Sequence, residues 1–70
     1  MSNHPALNEL RTAAVDRVLD AVRRTGTSAH APAGKPYSDL VFYIAVKLDR
    51  NPVEVQAEVE AYADALDSLR

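Results

Sequence analysis

The chain has 70 residues, no cysteine, no tryptophan and a formal net charge of −2. That length allows one compact domain, and the lack of cysteine excludes a disulfide framework, a thiolate metal site and a cysteine nucleophile. With 47% hydrophobic and 26% charged residues, the composition is that of a folding sequence and not of a disordered tail.

Size sets an energetic problem. Below ~70–80 residues one hydrophobic core rarely supplies more than ~3–5 kcal/mol net, so small domains lean on disulfides, a metal, close packing or a partner chain. Disulfides are impossible here. A metal is not expected, because the two histidines, His4 and His30, stand far apart, one near the start and one in a predicted loop. Close packing and partnership remain. The longest apolar run, Leu40 to Val46, falls well short of the ~17–25 residues a membrane span needs. The opening Met1-Ser2-Asn3-His4-Pro5 has neither the basic nor the apolar region of a leader. A cytoplasmic protein with no membrane partner is expected, and the Ala, Arg, Val and Asp richness suggests a bacterial or phage source.

The first predicted helix spans about 5–25. Asn3 or His4 would cap it, Pro5 suits its first turn, and Gly26 stands where a left-handed C-terminal cap belongs. Leu7, Leu10, Ala14, Val18, Ala21 and Val22 recur at helical steps, with Val15 and Leu19 widening the stripe. Arg11 projects near the middle of that stripe, its head expected to snorkel to water or to pair with a carboxylate across an interface. Asp16, Asp20, Arg23 and Arg24 form helix-spaced charge pairs, with the cations at the end the helix dipole favours. Residues 26–37 read as a loop carrying both glycines and two of the four prolines.

The second element, about 38–49, is apolar on every side across residues 40–46, a pattern that a buried strand and a buried helix share. Ser38 as N-cap, Asp39 in the first turn, Lys47 near the end and the lack of any strand to pair with favour helix. The third, about 52–69, opens on Asn51 as cap, Pro52 as first residue and Glu54 two further on. Val55, Val59, Tyr62, Ala63, Leu66 and Leu69 then follow one face. The predicted fold is all-α: a single three-helix domain over residues 1–70. The second and third helices form an antiparallel hairpin, and the first packs across it or exchanges with a second chain.

Catalytic patterns are nearly absent. Ser28 and His30 are two residues apart in the loop and make no triad by themselves. Gly34-Lys35 looks like the end of a phosphate-binding loop, but Gly26 is eight residues upstream of Gly34 and Pro36 occupies the Ser/Thr position. No catalytic residue, metal ligand or cofactor site is expected. Gln56, Glu60, Asp64 and Asp67 line one side of the third helix. Residues 1–35 carry net charge +2 and residues 36–70 carry −4, so that row is expected to meet a basic surface, either Arg17, Arg23 and Arg24 or a partner.

Residues 41–60 resemble the helix-turn-helix motif of DNA-binding regulators. Ala45 is the small residue at the helix contact, Leu48 lies inside, and Val55 follows ten residues after Ala45. Asp49 replaces the usual turn glycine, and Arg50 replaces a small apolar residue. The resemblance implies a transcriptional regulator, yet its recognition helix would carry Glu54, Glu58 and Glu60 toward a polyanion. A helical hairpin with no nucleic-acid partner explains the same pattern. The expectation is therefore a non-enzymatic protein–protein interaction module, a homodimer or an accessory or inhibitory subunit of a larger assembly. Its apolar contacts would be Leu7 and Leu10 with Leu40, Phe42, Tyr43, Ile44 and Val46, and its acidic contacts Gln56, Glu60, Asp64 and Asp67. One of Phe42 and Tyr43 is assigned to the core and the other to a second covered surface, since a helix apolar all round must be buried all round.

Overall fold

The computed structural model describes residues 9–69. They form an all-α domain of three mutually packed helices: α1, Ala13–Thr25; α2, Asp39–Lys47; and α3, Pro52–Ser68. Leu7 and the caps considered at Asn3 and His4 lie outside the described residues.

The first helix differs from its prediction. Glu9 and Leu10 are helical, but Arg11 and Thr12 are not, and α1 starts anew at Ala13. Thr12 takes an extended conformation and its hydroxyl accepts the Val15 N–H at 3.2 Å. Threonine satisfies an orphan amide better at a cap than it supports a helix interior, and the apolar stripe running past it hides that preference. Arg11 sits in the break and approaches Asp16 at 3.6 Å across an exposed pair, not across an interface. The far end of α1 is as expected: Gly26 is left-handed, with φ 75°, and its N–H returns to the Val22 carbonyl at 2.8 Å.

The apolar run at 40–46 is helix. Ser38 Oγ accepts from Val41 N at 3.1 Å, and Asn51 Oδ1 accepts from Val53 N at 2.9 Å at the head of α3. Between α2 and α3 the chain closes with two nested bonds, Asp49 N–H to Val46 O and Arg50 N–H to Ala45 O, at 3.2 and 2.8 Å. That double closure requires a left-handed residue between them, and Asp49 supplies it at φ 57°.

Small and β-branched side chains fill the core: Ala14, Val15 and Val18 from α1, Val41, Ile44 and Ala45 from α2, Val55 and Val59 from α3. Their three- and four-residue spacing gives each helix one inward stripe. Leu19, Ala21, Val22, Leu40, Leu48 and Tyr62 pack around that centre half-buried. With alanine and valine at the contacts, the core has little depth, and larger side chains are left at its margins. No described helix is long and apolar enough to cross a membrane.

Candidate functional site

Two surfaces emerge once the expected site residues are placed. The first is the outer face of α2. Val41, Ile44 and Ala45 turn inward at helical spacing, so Phe42, Tyr43 and Val46 are left outside, 47%, 60% and 58% exposed. The expectation that one aromatic would enter the core does not hold, because the inward positions of α2 belong to its smaller residues. Ile44, expected at the surface, is buried among them. Leu10 and Leu40 are half-buried. Tyr37, from the loop, stacks on Phe42 with centroids 5.8 Å apart and planes 13° from parallel. Lys47 Nζ lies 5.1 Å from the Tyr43 ring centroid, in cation–π range. Both rings are thus held by a neighbour while a large part of each stays in water.

Beside this face runs a groove of about 300 Å³ between α1 and α2. From α2, Leu40, Tyr43 and Ile44 line it; from α1, Ala21 lies among Arg17, Asp20 and Arg24. Asp20 is shared by Arg23 at 2.8 Å and Arg24 at 3.1 Å along their own helix. Arg17 has no ion-pair partner among the described residues.

The second surface is the acidic row of α3, and the chain's own loop takes up half of it. Gln56 is only 3% exposed. Its Oε1 accepts the Ser38 N–H at 3.0 Å, and its Nε2 donates to the Ala29 carbonyl at 3.0 Å and to Glu60 Oε2 at 2.8 Å. The same Glu60 oxygen accepts the Ala31 N–H at 2.9 Å. One turn on, His30 Nε2 lies 3.3 Å from Asp64 Oδ1 at the surface. Gln56 and Glu60 therefore act as a clamp that holds residues 29–38 against α3. Asp64 and Asp67 remain exposed.

The predicted neutralisation of this row by α1 is not what the structure contains. Arg23 and Arg24 serve Asp20, and the turn supplies counter-charge to two other α3 carboxylates, Glu54 and Glu58, and not to the row. Arg50 donates to Glu58 Oε2 at 2.8 Å and lies 3.9 Å from Glu54 Oε1. Glu58 Oε1 also accepts from the Thr12 hydroxyl at 3.5 Å, joining the cap of α1 to the α2–α3 turn. Sequence reasoning named Glu58 only among the carboxylates of a would-be recognition helix and did not single out Tyr37. Arg50, placed four and eight residues before Glu54 and Glu58, carried the helix-spaced signal for this pairing.

Near the loop, Ser28, His30 and Asp64 form a trio that brings nucleophilic catalysis to mind. The Ser28 hydroxyl, however, accepts from the His30 backbone N–H at 3.1 Å, so it is engaged with the main chain and not with the imidazole. Among the described residues no group of histidine and acidic side chains is placed to hold a metal ion.

In the helix-turn-helix comparison, Ala45 and Val55 are fully buried, Leu48 is half-buried, and Asp49 adopts the left-handed turn conformation. A left-handed turn thus stands between two buried helix contacts. The polar side of α3 at Gln56 and Glu60 is meanwhile covered by the loop. Comparison with known protein families, with curated proteins and with solved structures finds no match in any of the three.

Proposed function

We propose that this chain is a small non-enzymatic protein–protein interaction module, a homodimer or an accessory or inhibitory subunit, that buries the outer face of α2 against a partner. The observation that carries this reading is the exposure of Phe42, Tyr43 and Val46 together on one short helix. Scattered apolar residues on a surface need no explanation, but a cluster of large ones on a small domain marks an interaction site. Complete burial of such a side chain contributes ~1.5–3 kcal/mol, and these three are already about half covered. The face alone then offers roughly 2.5–5 kcal/mol before the cost of association, about millimolar binding at best. A lasting complex would have to include the neighbouring groove as well, with the exposed Asp64 and Asp67 of α3 as separate acidic contacts for specificity.

A photoreactive amino acid in place of Tyr43 tests the reading in the native cell. A discrete covalent product is expected from that position and not from Arg23 on the far side of the Asp20 pair. No product from Tyr43, together with a monomer in solution, would count against the module.

The second reading, a helix-turn-helix DNA-binding regulator, is favoured by one observation, the left-handed turn at Asp49 between the buried Ala45 and Val55. Against it stand the loop over Gln56 and Glu60 and the carboxylates on α3. Even non-specific DNA binding would appear as a mobility shift at low salt, and none is expected.

A further inference from the structure

We infer that the outer face of α2 pairs with the same face of a second copy of this chain, the two helices running antiparallel about a two-fold axis beside Phe42 and Tyr43. The inference rests on the interaction-module reading and names its partner.

The face is a single stripe. Asp39, Phe42, Tyr43, Val46 and Lys47 follow one another in alternating steps of three and one. That spacing sets them on one side of the helix, opposite the buried Val41, Ile44 and Ala45. Asp39 opens the stripe at the N-terminal end, Lys47 closes it at the C-terminal end, and Tyr43 stands midway. Such a stripe is its own complement. Turned end for end, a second copy sets rings against rings and Asp39 of each chain beside Lys47 of the other, with the two helix dipoles opposed. Turned the same way, it sets acid on acid and base on base.

Neither end is an isolated charge. Lys35 lies 3.8 Å from Asp39, but the Asp39 side chain is fully exposed and that of Lys35 is 58% exposed, so the carboxylate stays open to a second cation. Lys47 lies over the Tyr43 ring and has no carboxylate within ion-pair distance among the described residues. Exposed ion pairs add little affinity, so these two set the direction of pairing and not its strength. The α1 wall of the neighbouring groove adds no selection, because its Asp20 already takes Arg23 and Arg24.

Strength comes from apolar area. A polar partner would leave only Phe42, Tyr43 and Val46 to be buried, whereas a second copy brings the same three side chains again. Tyr43 also lines the groove, so the contact runs onto its mouth. Even doubled, these half-exposed side chains fall short of the ~1,200–2,000 Å² of a standard interface, and the dimer is therefore a weak one, half-associated at roughly 0.05–1 mM.

Sedimentation equilibrium of the full chain, from micromolar to millimolar concentration, tests this. A reversible dimer is expected. Val46→Asp should weaken it tenfold or more, and Asp39→Lys and Lys47→Glu should each weaken it roughly three- to tenfold. The two charge changes combined in one chain should restore association, since every acid again faces a base. Both changes oppose the dipole of α2, so the double variant is the least stable monomer of the set, and its recovery does not come from better folding. Circular dichroism reports that each variant is helical. An equimolar mixture of the two single variants should likewise associate more tightly than either alone, which tests the same pairing without the double variant. A dimer that Val46→Asp dissociates but both charge variants leave unchanged overturns the antiparallel pairing and leaves α2 as the contact face. A dimer indifferent to Val46→Asp overturns the α2 face as its contact. A monomer at every concentration overturns the second copy as partner, and Tyr43 crosslinking in the cell then decides the broader reading by itself.

Discussion

Replacing Gln56 with leucine asks how much the clamp between the loop and α3 contributes to folding. The substitution keeps the approximate size of a side chain that is 3% exposed and removes all of its hydrogen-bonding capacity. Three bonds disappear, to Ser38 N, Ala29 O and Glu60 Oε2. Glu60 keeps the Ala31 amide and can turn to solvent, so its loss is small. The Ser38 amide and the Ala29 carbonyl lose their partner at half-buried positions, where an unsatisfied group costs ~1–3 kcal/mol. Water can reach a surface loop in part, which places the sum at the lower end, about 2–3 kcal/mol. For a domain of this size that is about half of the whole stability, and the melting midpoint should fall by ~10–20 °C. Urea unfolding followed by far-ultraviolet circular dichroism measures the free energy, and hydrogen exchange at Ala31 and Ser38 shows whether the loop has loosened locally. A loss under ~0.5 kcal/mol, the range of ordinary surface changes, would refute the view that Gln56 organises this half of the molecule.

Other expectations follow from single features. Val59→Ala, at a fully buried site, should cost about 2 kcal/mol, whereas Val46→Ala on the outer face of α2 should cost less than ~0.5 kcal/mol in the monomer; chemical denaturation of the pair compares core with surface directly. Asp49→Gly should raise stability by about 0.5–1 kcal/mol, since glycine adopts φ 57° without steric penalty, and Asp49→Val should lower it. An unchanged midpoint for both would show that the left-handed turn carries no strain. Glu58→Ala removes the acceptor shared by Arg50 and Thr12 and should cost about 1 kcal/mol, less at high salt, in urea titrations at two ionic strengths.

The parts of this fold that were legible in the sequence are local ones. Gly26 beyond α1, Ser38 before α2 and Asn51-Pro52 before α3 act on amides and carbonyls within a few residues, so their types and positions suffice to place three helix boundaries. Thr12 carries a signal of the same kind, with Asp16 following in the first turn, yet the continuous stripe from Leu10 through Ala14 outweighs it in a periodicity count. Periodicity failed in a different way at residues 40–46. Every position there is apolar, so no period distinguishes inside from outside, and the sequence cannot say which residues the other helices will cover.

Much of the candidate site belongs to that second category. Gln56 looks like one more polar residue in an acidic row until Ala29 and Ser38, 27 and 18 residues away along the chain, are brought against it. One of Phe42 and Tyr43 looks like a core residue until Val41, Ile44 and Ala45 take the inward positions and both rings are left outside. Composition and short-range chemistry thus determined that this chain makes helices, where the caps stand and that its second half is acidic. Tertiary packing decided which apolar residues stay in water and which polar ones leave it. Burial depends on what distant segments deliver to a face, and a residue's own neighbours in sequence carry no record of that.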